Sequence, residues 1–363
     1  MSSWPIDWGV AERVAVRSAG REPLAASYHY DRLAADFEEA TAQAEELVAK
    51  ATGLRSSEGP ARARVVDRTG WIQANTASFA RLLRPVTDKL ADRMSHRTGW
   101  RGAPAILSRR AAGAEVGLLL GWMSTRVLGQ YDLLIVEDES PEDQDVVYYV
   151  GPNVLALEKR HAFPPEEFRL WLALHEVTHR AQFTGVPWLR DHFLSLVRRT
   201  LEAVDPDPKR FVEAFARIRE QLRAGRSPLD EGGIVTLLAG SEQRELFDRI
   251  AGLMSLLEGH GEVTMNRAGA GRIPSAARFA RVLRQRRQQA AGVTKLVQRL
   301  LGIEAKLEQY RQGEVFISYV EKHGGPSALD AAWRGPEWLP TLAEIKAPQE
   351  WLDRVRLSEE LVG

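Results

Sequence analysis

Two histidines and a glutamate interrupt a segment that otherwise reads as the core of a helix. Between Phe168 and Phe183, Leu172, Leu174, Val177 and Ala181 recur at helical spacing, and His175, Glu176 and His179 stand among them. Buried polar groups need partners, so the chain can fold this way only if something satisfies these three. Their spacing, H-E-x-x-H, supplies an answer. Residues four apart on an α-helix lie one turn above each other. Both imidazoles can then reach one zinc ion at about 2.0–2.1 Å. Glu176, offset by about 100° around the axis, can touch a metal-bound water without displacing it. A zinc hydrolase needs this arrangement to make hydroxide near neutral pH. The bare pattern also occurs as two surface histidines on ordinary amphipathic helices.

The chain has no cysteine. Thiolate zinc sites and disulfides are therefore excluded, and any metal must be held by His and carboxylate, which suits a catalytic ion better than a structural one. The three-histidine pattern H-E-x-x-H-x-x-G-x-x-H is excluded too, because Gln182 and Gly185 stand where Gly and His would be required. The remaining alternative is the gluzincin arrangement, with a Glu from a later helix. Leu246, Ile250, Leu253 and Leu257 trace an apolar stripe that runs into Leu256-Leu257-Glu258-Gly259-His260-Gly261-Glu262. Glu258 borders the stripe and is the expected third ligand, with His260 and Glu262 as competitors. Gly259 and Gly261 each weaken a helix interior by roughly 1 kcal/mol relative to Ala, which makes sense if another backbone approaches closely. Glu262, one turn beyond Glu258, could accept the free ring N–H of a ligand histidine.

A zinc hydrolase also needs a hydrogen-bond donor aimed at the developing oxyanion. Tyr131 and Tyr310 are candidates, although both also read as core tyrosines with satisfied hydroxyls. Lys306 and Arg311 could bind a substrate carboxylate, or form ordinary ion pairs. Asn153 and the run Val150 to Leu157 read as a strand that could line a cleft and bind an extended peptide by strand addition, or equally as an ordinary core strand. The arginines from Arg278 to Arg287 read as a solvated helix face. Lys+Arg and Asp+Glu are equal at 49 each, and no aromatic stacking platform accompanies the arginines, so no nucleic-acid partner is expected. Phosphate loops and the G-x-S-x-G elbow are absent.

The pattern predicts a mainly α chain with a small β-sheet (α+β), folded as one compact domain of 363 residues. Residues 1–130 form a helical part, 131–160 the sheet, and 161–363 the motif helix and a second helical part. Helices are expected at 31–50, 71–95 with a break at Pro85, 111–129, 189–203, 208–224, 242–267, 275–289, 293–301 and 303–321. Asp132 to Val136 and Val146 to Val150 read as a hairpin with an acidic tip. No apolar run approaches the roughly 20 residues of a membrane span, and Met1 to Trp8 lacks the features of a secretory signal. A soluble cytoplasmic protein is expected.

Several blocks together resemble an actinobacterial zincin-like hydrolase family associated with deazaflavin-coenzyme biosynthesis. They are H-E-V-T-H-R-A-Q-F at 175–183, L-M-S-L-L-E-G-H at 253–260, V-L-G-Q-Y-D at 127–132, V-D-R-T-G-W at 66–71, K-L-E-Q-Y-R-Q-G at 306–313 and P-T-L at 340–342. The resemblance covers nearly the whole chain and implies a mostly helical zincin-like fold with the two-histidine motif intact. The expectation is a gluzincin-type zinc hydrolase of a peptide or amide bond. His175, His179 and Glu258 would be its ligands and Glu176 its general base, with Tyr310 as a donor. The second reading is an inactive zincin-like scaffold with a degenerate or structural metal site.

Overall fold

Val146 to Val150 is a run of five apolar or aromatic residues, and all five are buried. A run apolar on both faces must be covered on both, and this strand is the centre of a three-stranded sheet. The structure is a computed structural model that describes residues 5–22, 24, 27–95, 103–133, 145–203, 241–288 and 303–362. Strand β1 (Arg62–Val66) pairs in parallel with β3 (Val146–Val150), from Arg62↔Val146 to Val66↔Val150. Strand β2 (Gly129–Tyr131) pairs antiparallel on the other side, from Gly129↔Tyr149 to Tyr131↔Val147. Everything else in the described chain is helix, turn or loop, so the protein is mainly α with a small sheet.

The chain divides into two compact units, Met1–Gly185 with Arg267–Phe279, and Val186–Asn266 with Ala280–Gly363. The first holds the sheet and helices α1 (Trp8–Ser18), α2 (Tyr28–Thr52), α3 (Arg68–Leu82), α4 (Arg84–Ser95), α5 (Ala103–Ser124), α6 (Gly151–His161) and α7 (Pro165–Gly185). Helix α1 packs on α5, and α2 packs on α7. Ala15, Trp71, Ile72, Leu120 and Val150 form one core cluster. The Trp71 indole N–H donates to Gln130 Oε1 at 2.9 Å, tying α3 to β2.

In the second unit lie α8 (Leu189–Ala203), α11 (Ile303–Gly324), α12 (Leu342–Lys346), α13 (Pro348–Val362), most of α9 (Ser241–Ala268) and part of α10 (Ala276–Gln288). Its core joins Leu256, Phe316, Ile317, Val320, Trp351 and Leu352. Each such side chain removed from water contributes about 1.5–3 kcal/mol. The expected backbone approach at Gly259 is present. A Cβ there would lie 2.3 Å from the Gly313 carbonyl carbon, so α9 and α11 cross with no side chain between them. Helix α12 begins with a capping box between Thr341 and Glu344.

Several elements differ from the sequence reading. Asn153 to Leu157 is not a strand; it lies in α6, which starts at Gly151-Pro152, where the fixed φ of proline suits a first helical turn. The hairpin strand expected at 132–136 is β2 at Gly129–Tyr131, and 134–136 lies outside the described residues. Strand β1 was missed because Arg62-Ala63-Arg64-Val65-Val66 shows neither clean alternation nor an apolar run. The break expected near Pro85 in the helical run 71–95 is present, with Leu83 between the two helices and Pro85 in the first turn of the second. Helices expected at 208–224 and 293–301, and the acidic tip, lie outside the described residues. Among the described residues, no helix is long and apolar enough to cross a membrane.

Candidate metal centre

Helix α7 is buried along most of its length. From Phe168 to Thr184 every residue is buried except His175 and His179, which are half-buried. Their rings lie edge to face, with centroids 4.7 Å apart, as one-turn spacing requires.

The other polar side chains of α7 have structural partners. Arg169 makes a two-pronged contact with Glu158, both bonds 2.9 Å, and also pairs with Asp36 of α2. Arg180 is 1 % exposed. It donates to Asp145 Oδ2 at 2.6 Å, Glu45 Oε1 at 2.8 Å and the Gly59 carbonyl at 2.8 Å. The Thr178 hydroxyl donates to the Leu174 carbonyl at 2.6 Å. Two buried arginines thus clamp the motif helix to α2 and α6 and to the start of β3.

Glu176 points toward the sheet. Its Oε2 accepts from the backbone N–H of Tyr131 at 3.2 Å. A Cβ on Gly129 would lie 2.7 Å from both the Cγ and the Oε1 of Glu176. Only glycine allows the short strand β2 to lie this close to the carboxylate. The Glu176 charge also reaches Tyr149, whose phenol is pushed up first by burial and then by that charge, against a 2.8 Å bond to Thr41. Tyr131 is a buried residue of β2 whose ring stacks on Phe183, and its tie to the motif runs through its backbone.

His179 has a partner on its own helix. Its Nδ1 lies 3.0 Å from Gln182 Oε1. Gln182 is fully buried.

Of the remaining candidates, Glu258 lies on α9, 3 % exposed and flanked by the buried Leu256 and Leu257, so it is not a solvated acid at a helix end. His260 packs edge-on against Trp333, with centroids 5.2 Å apart. Glu262 is half-buried. Asn153 is structural: its amide donates to the Ser124 and Val127 carbonyls, both at 2.7 Å, and its oxygen accepts from Arg68 Nε at 2.9 Å. Tyr310 belongs to α11, but its side chain and those of Lys306 and Arg311 lie outside the described residues. Arg278 donates to the carbonyls of His161 and Ala162, which makes it a tether, while Arg281 and Arg284 are exposed.

Sequence reasoning missed Gly129, the Tyr131 backbone and Gln182. A signal for the first two was present, since both belong to the block V-L-G-Q-Y-D. A surface cleft of about 530 Å³, lined by Trp8, Glu12, Gln73 and Arg109 among others, contains none of the motif residues.

The donor set suits zinc. Two imidazoles stand at the one partly accessible place between Phe168 and Thr184, and a carboxylate beside them is held by a backbone amide. A crystal structure from Chloroflexus aurantiacus, of a protein named as a candidate hydrolase with a novel fold, is 31 % identical in sequence. It superposes with a TM-score of 0.70, over 97 % of this chain and 99 % of that chain. No curated protein matches the chain. A family described as zincin-like metallopeptidase matches residues 6–352, and the chain belongs to that family.

Proposed function

We propose that the protein is a zinc-dependent hydrolase of a peptide or amide bond. His175, His179 and Glu258 are its metal ligands and Glu176 its general base. The observation that carries this reading is the pairing on α7. The two imidazoles are the only partly accessible residues from Phe168 to Thr184, and the carboxylate beside them is positioned by Tyr131 and Gly129. Support for Glu258 is its burial among leucines, where a carboxylate needs a partner. Membership of a metallopeptidase family and the likeness to a candidate hydrolase support the reaction class.

When bound, zinc supplies a Lewis acid that makes water nucleophilic near neutral pH. The protein's own groups do the rest. Glu176 accepts a proton from the attacking water and passes it to the leaving nitrogen. The Tyr131 N–H holds Oε2, so one carboxylate oxygen is anchored while the other serves the reaction. The Arg169 and Arg180 clamps hold the backbone that carries all three motif side chains.

The test is Glu176→Gln. Purified wild type should bind one zinc per chain and cleave members of a peptide library. The variant should bind zinc equally and lose about 10²–10⁴-fold in turnover, the usual range for general acid–base catalysis. A variant with full activity would refute the mechanism, and wild-type protein that binds zinc but cleaves nothing would favour a structural metal centre.

A further inference from the structure

Gln182 stands where the three-histidine zinc pattern would place a glycine. It is fully buried, three residues after His179 on the same face of α7, and its Oε1 is 3.0 Å from His179 Nδ1. A carbonyl oxygen has only lone pairs to offer. The contact is therefore a hydrogen bond only if Nδ1 carries the proton, which leaves the lone pair of the neutral ring on Nε2.

We infer that Gln182 is a positioning residue: it holds His179 as the Nδ1–H tautomer and turns Nε2 outward as the metal-binding atom. This rests on the reading of His179 as a ligand. The chemistry gives the choice of residue a consequence. Ligand histidines commonly donate their second ring N–H to a carboxylate, which raises the basicity of the imidazole. An amide oxygen orients the ring equally well but adds no negative charge. A zinc ion held by such a ring keeps more of its Lewis acidity.

Long-range proton–nitrogen NMR on the metal-free, nitrogen-15-labelled protein at mildly alkaline pH reads the tautomer directly. The His179 signal is assigned by its loss in His179→Asn. Wild type should show His179 protonated at Nδ1. Gln182→Met, which matches the length but has no amide, should shift it toward the Nε2–H form favoured by free histidine in water. Zinc affinity, measured by competition with a chromophoric chelator, should fall about 10–100-fold in Gln182→Met and recover in Gln182→Glu, whose carboxylate is also an acceptor. An Nε2–H ring in wild type overturns the inference without any variant having to fold. So does an undiminished zinc affinity in a folded Gln182→Met protein. Failure of the hydrolase reading looks different: wild type would show the Nδ1–H ring and yet bind no zinc.

Discussion

The Glu176 carboxylate lies against the bare Cα of Gly129, where a methyl group would come within 2.7 Å of Cγ and Oε1. The contact joins a helix to a strand of only three residues and leaves Glu176 no room to move further into the sheet. Gly129→Ala should therefore displace the carboxylate rather than the strand, which is tied to β3 by its ladder. A misplacement on the order of 1 Å can cost about 10²-fold in rate. The expected outcome is such a loss in kcat, with zinc affinity changed only slightly. Equal kcat in the two proteins would show that Glu176 is not confined by β2.

The Arg180 cluster should be essential for folding rather than for chemistry. Arg180→Met leaves Asp145, itself 4 % exposed, as a buried carboxylate without its partner. Breaking a buried pair in this way costs about 3–5 kcal/mol. Urea unfolding should show a loss of that size. A loss below about 1 kcal/mol would mean that solvent reaches Asp145.

Helix propensity alone says that Gly313→Ala should stabilise α11, since Ala is favoured by about 1 kcal/mol in a helix interior. The structure reverses the sign. A Cβ at Gly313 would lie 1.9 Å from the Ser255 carbonyl oxygen, in the crossing of α9 and α11. Overpacking of this kind costs about 1–3 kcal/mol. A lowered melting temperature is expected, and a raised one would show that the helices can move apart freely.

Glu344 gives the second unit an acid-sensitive element. Burial pushes its pKa up, but bonds from Arg354 and from the Thr341 N–H outweigh this, so the carboxyl sits below its ordinary value. Arg354 Nε donates to it at 2.6 Å. With a depressed native pKa, the unfolded chain binds more protons in the window between the two values, so stability rises with pH there. The contribution is full above the ordinary carboxylate value and is lost as pH falls through the native pKa. Wild type should be more stable than Glu344→Gln at neutral pH, and the gap should close in acid. A gap independent of pH would assign the effect to packing.

Much of the candidate site was legible in the sequence because helix geometry is local. One turn separates His175 from His179 wherever the helix sits, and Gln182 follows on the same face by the same rule. Gln182 was nevertheless read only for what it excluded, since a buried amide and an exposed one look alike in sequence. The blocks V-L-G-Q-Y-D and K-L-E-Q-Y-R-Q-G were visible, but their purpose was not. Gly129 and Gly313 act through the absence of a side chain, and that matters only once Glu176 and Ser255 are placed against them.

The amino-acid order by itself thus determined the motif helix, its apolar setting, the exclusion of thiolate and three-histidine sites, and the mainly helical class. Tertiary structure decided that Asn153 braces a helix start instead of lining a strand, and that Arg62–Val66 joins the sheet in parallel. It also decided that Glu176 meets Tyr131, across 45 positions of chain. The physical reason is the range of the forces involved. Periodicity and capping act within one or two turns, whereas a parallel ladder, a close backbone approach and a shared carboxylate exist only after distant segments have packed.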